Sequence, residues 1–243
     1  VVPFGVLATA VDVLGCAVCG RAISPDWMAT SVMSLHLGPV DASREVVLDV
    51  AVLRAGRSTV TVEVDVRQDD DARPTQRVGS AVLTFSRLPR RASTLVLPDS
   101  GGRPGDRYGF GDPSDGSGAI GPRVDGFDAA IGCRSVDGRS GLVRADISPY
   151  VRNSFGAVNG GVVAAVADAA ARAAVDRPDW RTLDLTANFL GQGREGPMVA
   201  DAAEVRRDEH SCTVRVEVTD AGQLDDAGAP RLMVVAHVVL GPC

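Results

Sequence analysis

Two stretches of the chain are apolar on every side, and each is followed by segments in which apolar and polar residues alternate. Residues 5 to 20 and 160 to 175 are built from Val, Ala, Leu and Gly with hardly a polar face, which predicts helices enclosed by other structure. Val60, Val62, Val64 and Val66 in the first half answer Val214, Val216 and Val218 in the second. Strict alternation of this kind predicts half-buried strands. Turn-forming residues follow at 69 to 74 and 223 to 230, and further strands are expected at 77 to 85 and 231 to 240.

The correspondence between the halves extends to identities. Pro25-Asp26-Trp27 recurs as Pro178-Asp179-Trp180, and the same offset pairs Leu37-Gly38 with Leu190-Gly191, Val46 with Val199, Val52 with Val205 and Arg54 with Arg207. Such internal repetition identifies two diverged copies of one unit fused in tandem, each a helix followed by about four antiparallel strands. The first unit is expected over residues 1–88 and the second over 123–243. Residues 89–122, rich in Gly, Pro, Ser and Asp without periodicity, read as a linker crossing the surface. The second copy carries an additional strand near residues 140 to 150. Its counterpart in the first copy would precede Val1, so an N-terminal piece beyond Val1 is expected.

Composition narrows the function classes. A 45% apolar and 23% charged chain of 243 residues with no bilayer-length apolar run describes an ordinary globular protein, and residues 1 to 13 lack the basic flank and cleavage site of a signal peptide. The net charge of −6 disfavours nucleic acid as a partner. Every basic residue is Arg. Cys16, Cys19, Cys133, Cys212 and Cys243 are odd in number and form no disulfide framework, which points to a reducing compartment, with the cytoplasm as default. Cys16-x-x-Cys19 has no second pair or nearby His to complete a metal site, so these are expected to be buried thiols.

The candidate chemistry starts from one acid in each apolar helix. Asp12 falls seven residues after Gly5, and Asp168 falls seven after Gly161. A buried carboxylate is unfavourable by several kcal/mol unless it is paired, hydrogen-bonded or protonated. One reading is a packing role, in which each Asp bonds neighbouring backbone or Arg. The other comes from the segment ahead of the second helix, Asn153-Ser154-Phe155-Gly156-Ala157-Val158-Asn159-Gly160-Gly161, where Asn159 can cap the helix and the glycines leave backbone N–H groups open at its positive end. Those donors can stabilise an oxyanion.

Asn-x-x-Gly-x-x-(His)-Gly-Gly with an Asp seven residues on resembles the signature of hotdog-fold acyl-CoA thioesterases of the phenylacetyl-CoA thioesterase-like group, and the tandem arrangement is similar to double-hotdog thioesterases. The resemblance covers about residues 140 to 240 and, more weakly, 1 to 88. It implies an α+β double hotdog in which each central helix is wrapped by an antiparallel sheet. It also implies hydrolysis of an acyl-CoA thioester, a place in lipid metabolism, coenzyme A present only as part of the substrate, and room for a homodimer of double hotdogs. On the matching positions, Asn153 takes the family's Asn, Gly160 its oxyanion Gly, Asp168 its catalytic carboxylate and Thr182 its water-positioning hydroxyl, while Asn159 stands where the family has His. In the first copy Pro3, Phe4 and Ala29 stand in place of Asn159, Gly160 and Thr182. Because paired hotdogs commonly face the acid of one unit to the turn of the other, the resemblance implies mixed sites: Asp12 with Asn153, Asn159 and Gly160, and Asp168 with Thr182 against Pro3 and Phe4.

Other candidates carry less. His36 and His237 fall in strand alternation and His210 in a polar turn, without a nucleophile elbow, and Gly109-Phe110-Gly111 lacks the helix a dinucleotide site needs. No metal ligand set is present in the sequence. Arg54, Arg57, Arg206 and Arg207 lie at corresponding hairpins, where they are either solvated charges or partners for the phosphates of coenzyme A. Thioester hydrolysis is the leading expectation. Binding of acyl-CoA or a related lipid without turnover is the alternative, and a structural scaffold is the third.

Overall fold

The computed structural model describes residues 1–22, 27–70, 73–88, 126–136, 138–153 and 156–242. The first half runs α1 (Phe4–Ala22), β1 (Trp27–Leu37), β2 (Val46–Ala55), β3 (Thr59–Asp70) and β4 (Arg73–Leu88). The second runs α2 (Phe127–Ala130), β5 (Cys133–Ser135), β6 (Leu142–Ala145), a 3-10 turn at Pro149–Val151, α3 (Gly160–Val175), β7 (Trp180–Phe189), β8 (Met198–Arg207), β9 (Cys212–Leu224) and β10 (Pro230–Pro242). All ten strands join in one antiparallel sheet ordered β2-β3-β4-β1-β7-β10-β9-β8-β6-β5. The two helix-and-antiparallel-sheet units expected from the repeat are therefore what form, with their sheets fused edge to edge into the α+β double hotdog that the resemblance implied.

The seam is the β1–β7 pair, which sets Met33 against Ala187, Ser34 against Thr186 and Leu35 against Leu185. Each seam strand also skips one residue in its pairing on the other side, Ser31 in β1 and Leu183 in β7. These bulges lie 152 positions apart, as do Ser34 and Thr186. The local two-fold axis relating the halves consequently passes through Ser34 and Thr186, whose hydroxyls are 3.2 Å apart.

One face of the sheet is buried by α1 and α3, each resting on its own half and both packed on each other. The alternation read from the sequence points inward here: Val60, Val62, Val64, Val66, Val214, Val216 and Val218 are all fully buried. At about 1.5–3 kcal/mol for each such side chain, this row is a main source of stability. The helices cross unusually closely. A Cβ on Gly161 would stand 2.4 Å from Thr9 Cα, and one on Gly5 would stand 2.6 Å from Ala165 Cβ, so both positions exclude a side chain. Gly161 thus serves the helix crossing, a use that the reading of it as a substrate-facing glycine did not contain.

The strand expected near 140 to 150 is the four-residue β6, paired with β8, followed by the 3-10 turn. Ahead of it, α2 and β5 are too short for periodicity to reveal. Val46 and Leu48 of β2, the counterparts of Met198 and Ala200 of β8, are only partly buried because no described strand lies on their outer edge. Pro25, Asp26, Cys243, the expected linker 89–122 and Gly109-Phe110-Gly111 lie outside the described residues. Cys19 and Cys212 are buried and Cys16 and Cys133 partly so, all as free thiols. Burial pushes Cys16 up to about 12 and Cys19 up to about 11, which keeps both protonated. Among the described residues no helix is long and apolar enough to cross a membrane, and no cluster of three His, Cys, Asp or Glu side chains could hold a metal ion.

Candidate active site

The entrance to α3 is assembled by short-range bonding. Asn153 closes a turn: its N–H donates to the Ala157 carbonyl at 2.7 Å, its carbonyl accepts from Gly156 N–H at 2.9 Å, and its Oδ1 accepts from Ala157 N–H at 3.2 Å. Asn159 then caps the helix, with Oδ1 accepting from the N–H groups of Gly161 (2.9 Å) and Val162 (3.4 Å). Such a cap is worth about 1 kcal/mol and fixes the direction of the first-turn amides.

Into this entrance comes Asp12 from the middle of α1. Its Oδ2 accepts from Gly161 N–H at 3.1 Å, and its Oδ1 accepts from the Thr30 hydroxyl at 2.5 Å. Gly160 N–H also faces the carboxylate, and a Cβ on Gly160 would stand 3.0 Å from Thr30 Oγ1 and 3.1 Å from Asp12 Oδ2. Asp12 is 4% exposed. Its partners are a hydroxyl and backbone amides, none of them a cation. Burial therefore dominates and raises its pKa above the usual carboxylate range, although the Thr30, Gly161 and Gly160 hydrogen bonds and the helix dipole all favour the charged form.

Asp168 occupies the equivalent place in α3 but has other company. The Thr182 hydroxyl donates to its Oδ1, and Arg172 Nε donates to its Oδ2 at 3.0 Å. Arg172 also donates to Asp128 of α2 at 2.8 Å. Burial again raises the Asp168 pKa, with the Arg172 charge and the Thr182 and Arg172 bonds opposing it. The expected facing of Asp168 toward Pro3 and Phe4 is replaced by this ion network. At that end Gly5 packs on Ala165 and on the ring of Phe127, which α2 brings in. Asp168 thus fits the packing role through its Arg partner, whereas Asp12 has no cation and meets the backbone of the opposite helix entrance. A cleft of about 440 Å³ opens beside Arg172, lined by Asp128, Cys133, Arg134, Asp176, Arg177 and Trp180 among others, with neither Asp12 nor Gly160 in its wall.

Three participants escaped the sequence reading. Thr30, not Ala29, is the counterpart of Thr182, because β1 holds one residue more between Trp27 and its acid-bonding threonine than β7 holds after Trp180. The fixed offset from Pro-Asp-Trp concealed that slip. Arg172 was visible as the i+4 neighbour of Asp168, a spacing that favours an ion pair. Asp128 carried no signal.

The four hairpin arginines divide by register. Thr30, Phe85, Val60 and Ala55 lie side by side across β1, β4, β3 and β2, placing Arg54 and the exposed Arg57 at the level of the Asp12 site. Thr182, Leu240, Cys212 and Arg207 are aligned in the same way at the level of Asp168. Arg206 pairs with Asp208, while Arg207 pairs with Glu204 and reaches the Val175 carbonyl. His36 pairs with Asp184 across the seam on the exposed face, and His210 donates its backbone N–H to Asp208, so neither belongs to the site.

Solved structures of similar shape span nearly all of the chain at low identity. A tesB protein of Mycobacterium avium subspecies paratuberculosis has a TM-score of 0.63 at 13% identity, covering 100% of this chain and 87% of its own. Acyl-CoA thioesterase II TesB2 of Mycobacterium marinum has 0.56 at 11%, covering 99% and 90%. A conserved protein of unknown function with a hotdog fold from Alicyclobacillus acidocaldarius has 0.55 at 12%, covering 99% and 87%. No curated protein matches the sequence. The family model described as the acyl-CoA thioesterase N-terminal domain matches residues 2–86 and 149–241, one stretch in each half. The chain accordingly belongs to the acyl-CoA thioesterase family, as a double hotdog.

Proposed function

We propose that this chain hydrolyses acyl-CoA thioesters at a single site between the halves, formed by Asp12, Thr30, Gly160 and Asn159. The observation that carries the reading is the contact of Asp12, an acid with only neutral partners, with the amide donors of the opposite helix entrance. A buried carboxylate of raised pKa is suited to take a proton near neutrality. In the proposed step Asp12 removes a proton from water as the water oxygen bonds to the thioester carbonyl carbon, and the carbonyl electron pair moves to its oxygen. Gly160 N–H, at the positive end of α3, donates to that oxyanion. The oxyanion then collapses, the C–S bond breaks, and the proton held by Asp12 passes to the departing thiolate. Attack by Asp12 itself is the other route open to the same geometry.

Thr30 holds the carboxylate in orientation, and Asn159 fixes the amides. Asn153 acts one step back, through the turn it closes. Arg54 lies three strands from Thr30, roughly 14 Å at ordinary strand spacing, with Arg57 in the turn that follows, and both are assigned to the phosphates of coenzyme A. Asp168, Thr182 and Arg172 form the degenerate partner site, with Arg206 and Arg207 spent on local acids. The test is turnover of a panel of acyl-CoAs, read as released thiol, beside equilibrium binding of the same panel. Hydrolysis that Asp12→Asn abolishes supports the reading; binding without hydrolysis leaves an acyl-CoA-binding protein instead.

A further inference from the structure

Each half carries a relay from its third strand to the entrance of its helix. In β3, Gln68 lies opposite Val46 at the start of β2; in β9, Asp220 lies opposite Met198 at the start of β8. Both side chains are buried and reach the loop between the first and second strands. Gln68 accepts from Asp41 N–H at 3.1 Å and donates to the Asp41 carbonyl at 2.7 Å. Asp220 accepts from four N–H groups, those of Arg194 (2.7 Å), Glu195 (3.0 Å), Gly196 (2.7 Å) and Gly222 (3.1 Å). The loop so held offers one carbonyl to the residue just before the helix entrance. Val40 O accepts from Val2 N–H at 2.8 Å, and Gly193 O accepts from Val158 N–H at 3.0 Å.

The first relay ends at Pro3, which has no N–H, and at the bulky Phe4. The second ends at Asn159, Gly160 and Gly161. We infer that Asp220 is the positioning residue for the Gly160 and Gly161 amides, acting through the 194–196 amides, the Gly193 carbonyl and the Val158 amide. Charge-assisted bonds are roughly twice as strong as neutral ones, and a carboxylate can gather more donors than the single oxygen of an amide such as Gln68. Burial works against the Asp220 charge, but the four amides outweigh it and hold the group below the usual carboxylate range, so it stays ionised. A surface loop is ordinarily the mobile part of a fold. Anchored at Asp220, this one can hold an oxyanion donor within the fraction of an ångström that catalysis requires.

Asp220→Asn tests the relay. The variant keeps the volume and loses the charge and one acceptor oxygen. The Asp12 carboxyl, followed by 13C NMR, is expected to titrate at higher pH than in the unaltered protein as Gly161 N–H withdraws. The Val158, Gly160 and Gly161 amides are expected to exchange about 10-fold faster or more. A folded variant in which Asp12 titrates and these amides exchange unchanged overturns the inference. Should the variant not fold, native-state exchange of the unaltered protein decides: the amides of residues 194–196 and of 158, 160 and 161 must open as one unit, and independent opening refutes the relay. The kinetic consequence, kcat reduced about 10-fold with KM within twofold, rests on the proposed hydrolysis. Absence of turnover in the unaltered protein counts against that reading alone, because titration and exchange use no substrate.

Discussion

Replacing Asp12 by Asn separates catalysis from stability in a direction set by the site. The substitution preserves shape. Asn Oδ1 can keep the Gly161 N–H, now 3.1 Å from the carboxylate, and its amide can donate to Thr30 Oγ1, so little packing is lost. What disappears is the proton acceptor of the proposed hydrolysis, and loss of a principal transition-state contact is expected to lower kcat by about 10²–10³-fold, or roughly 2.7–4 kcal/mol. The stability effect follows from the raised pKa. A carboxyl whose folded pKa lies above its unfolded value stabilises the protein fully below the unfolded pKa, and that contribution is lost as pH rises through the folded one. At neutral pH Asp12 is therefore a net burden on folding, and Asp12→Asn is expected to have an equal or higher Tm there, an advantage that vanishes in acid. The assay pairs thioester turnover with thermal melts at acid and neutral pH. A variant within threefold of the original kcat, or one whose Tm falls at neutral pH, would refute the reasoning, the second outcome by showing that the carboxylate serves packing.

The remaining expectations follow from neighbouring contacts. Arg172→Ala leaves the buried Asp168 without its cation and is expected to destabilise by about 2 kcal/mol, below the 3–5 of a fully buried pair because Arg172 is 42% exposed, while kcat changes less than threefold; denaturant melts and turnover check both. Gly161→Ala pushes a methyl into the Thr9 backbone and should destabilise by about 3 kcal/mol or prevent folding, whereas Gly160→Ala displaces the Asp12 carboxylate and should cut kcat about 10-fold with a smaller change in Tm. The pH profile of kcat/KM should rise through a pKa above the ordinary Asp range and then level off, because the proposed hydrolysis uses ionised Asp12 as its base; Thr30→Val, which removes a bond favouring the charged form, should move that limb to still higher pH.

Both helices, the alternating strands and the duplication were legible in the sequence because each repeats a pattern that one physical constraint imposes. An enclosed helix has no polar face, and a half-buried strand must alternate, so Val60 to Val66 and Val214 to Val218 announce their burial before any contact is known. The lone acids were legible for the same reason, as exceptions to an apolar field. Which acid faces which partner is a different kind of fact. Asp12 meets Gly161, 149 positions away, only because two glycines let α1 and α3 cross closely and because β1 and β7 fuse the sheets about an axis through Ser34 and Thr186. A one-residue slip after Trp27 exchanged Ala29 for Thr30, and a four-residue helix with no periodicity delivered Asp128 and Phe127 to the opposite end. Local pattern records the environment a residue needs, and it determined the elements and the acids. Tertiary packing alone decided which neighbours supply that environment, because those neighbours are set by crossings and registers spread over the whole chain, and so it set Asp12 against Thr30 and the opposite helix entrance and Asp168 against Thr182 and Arg172.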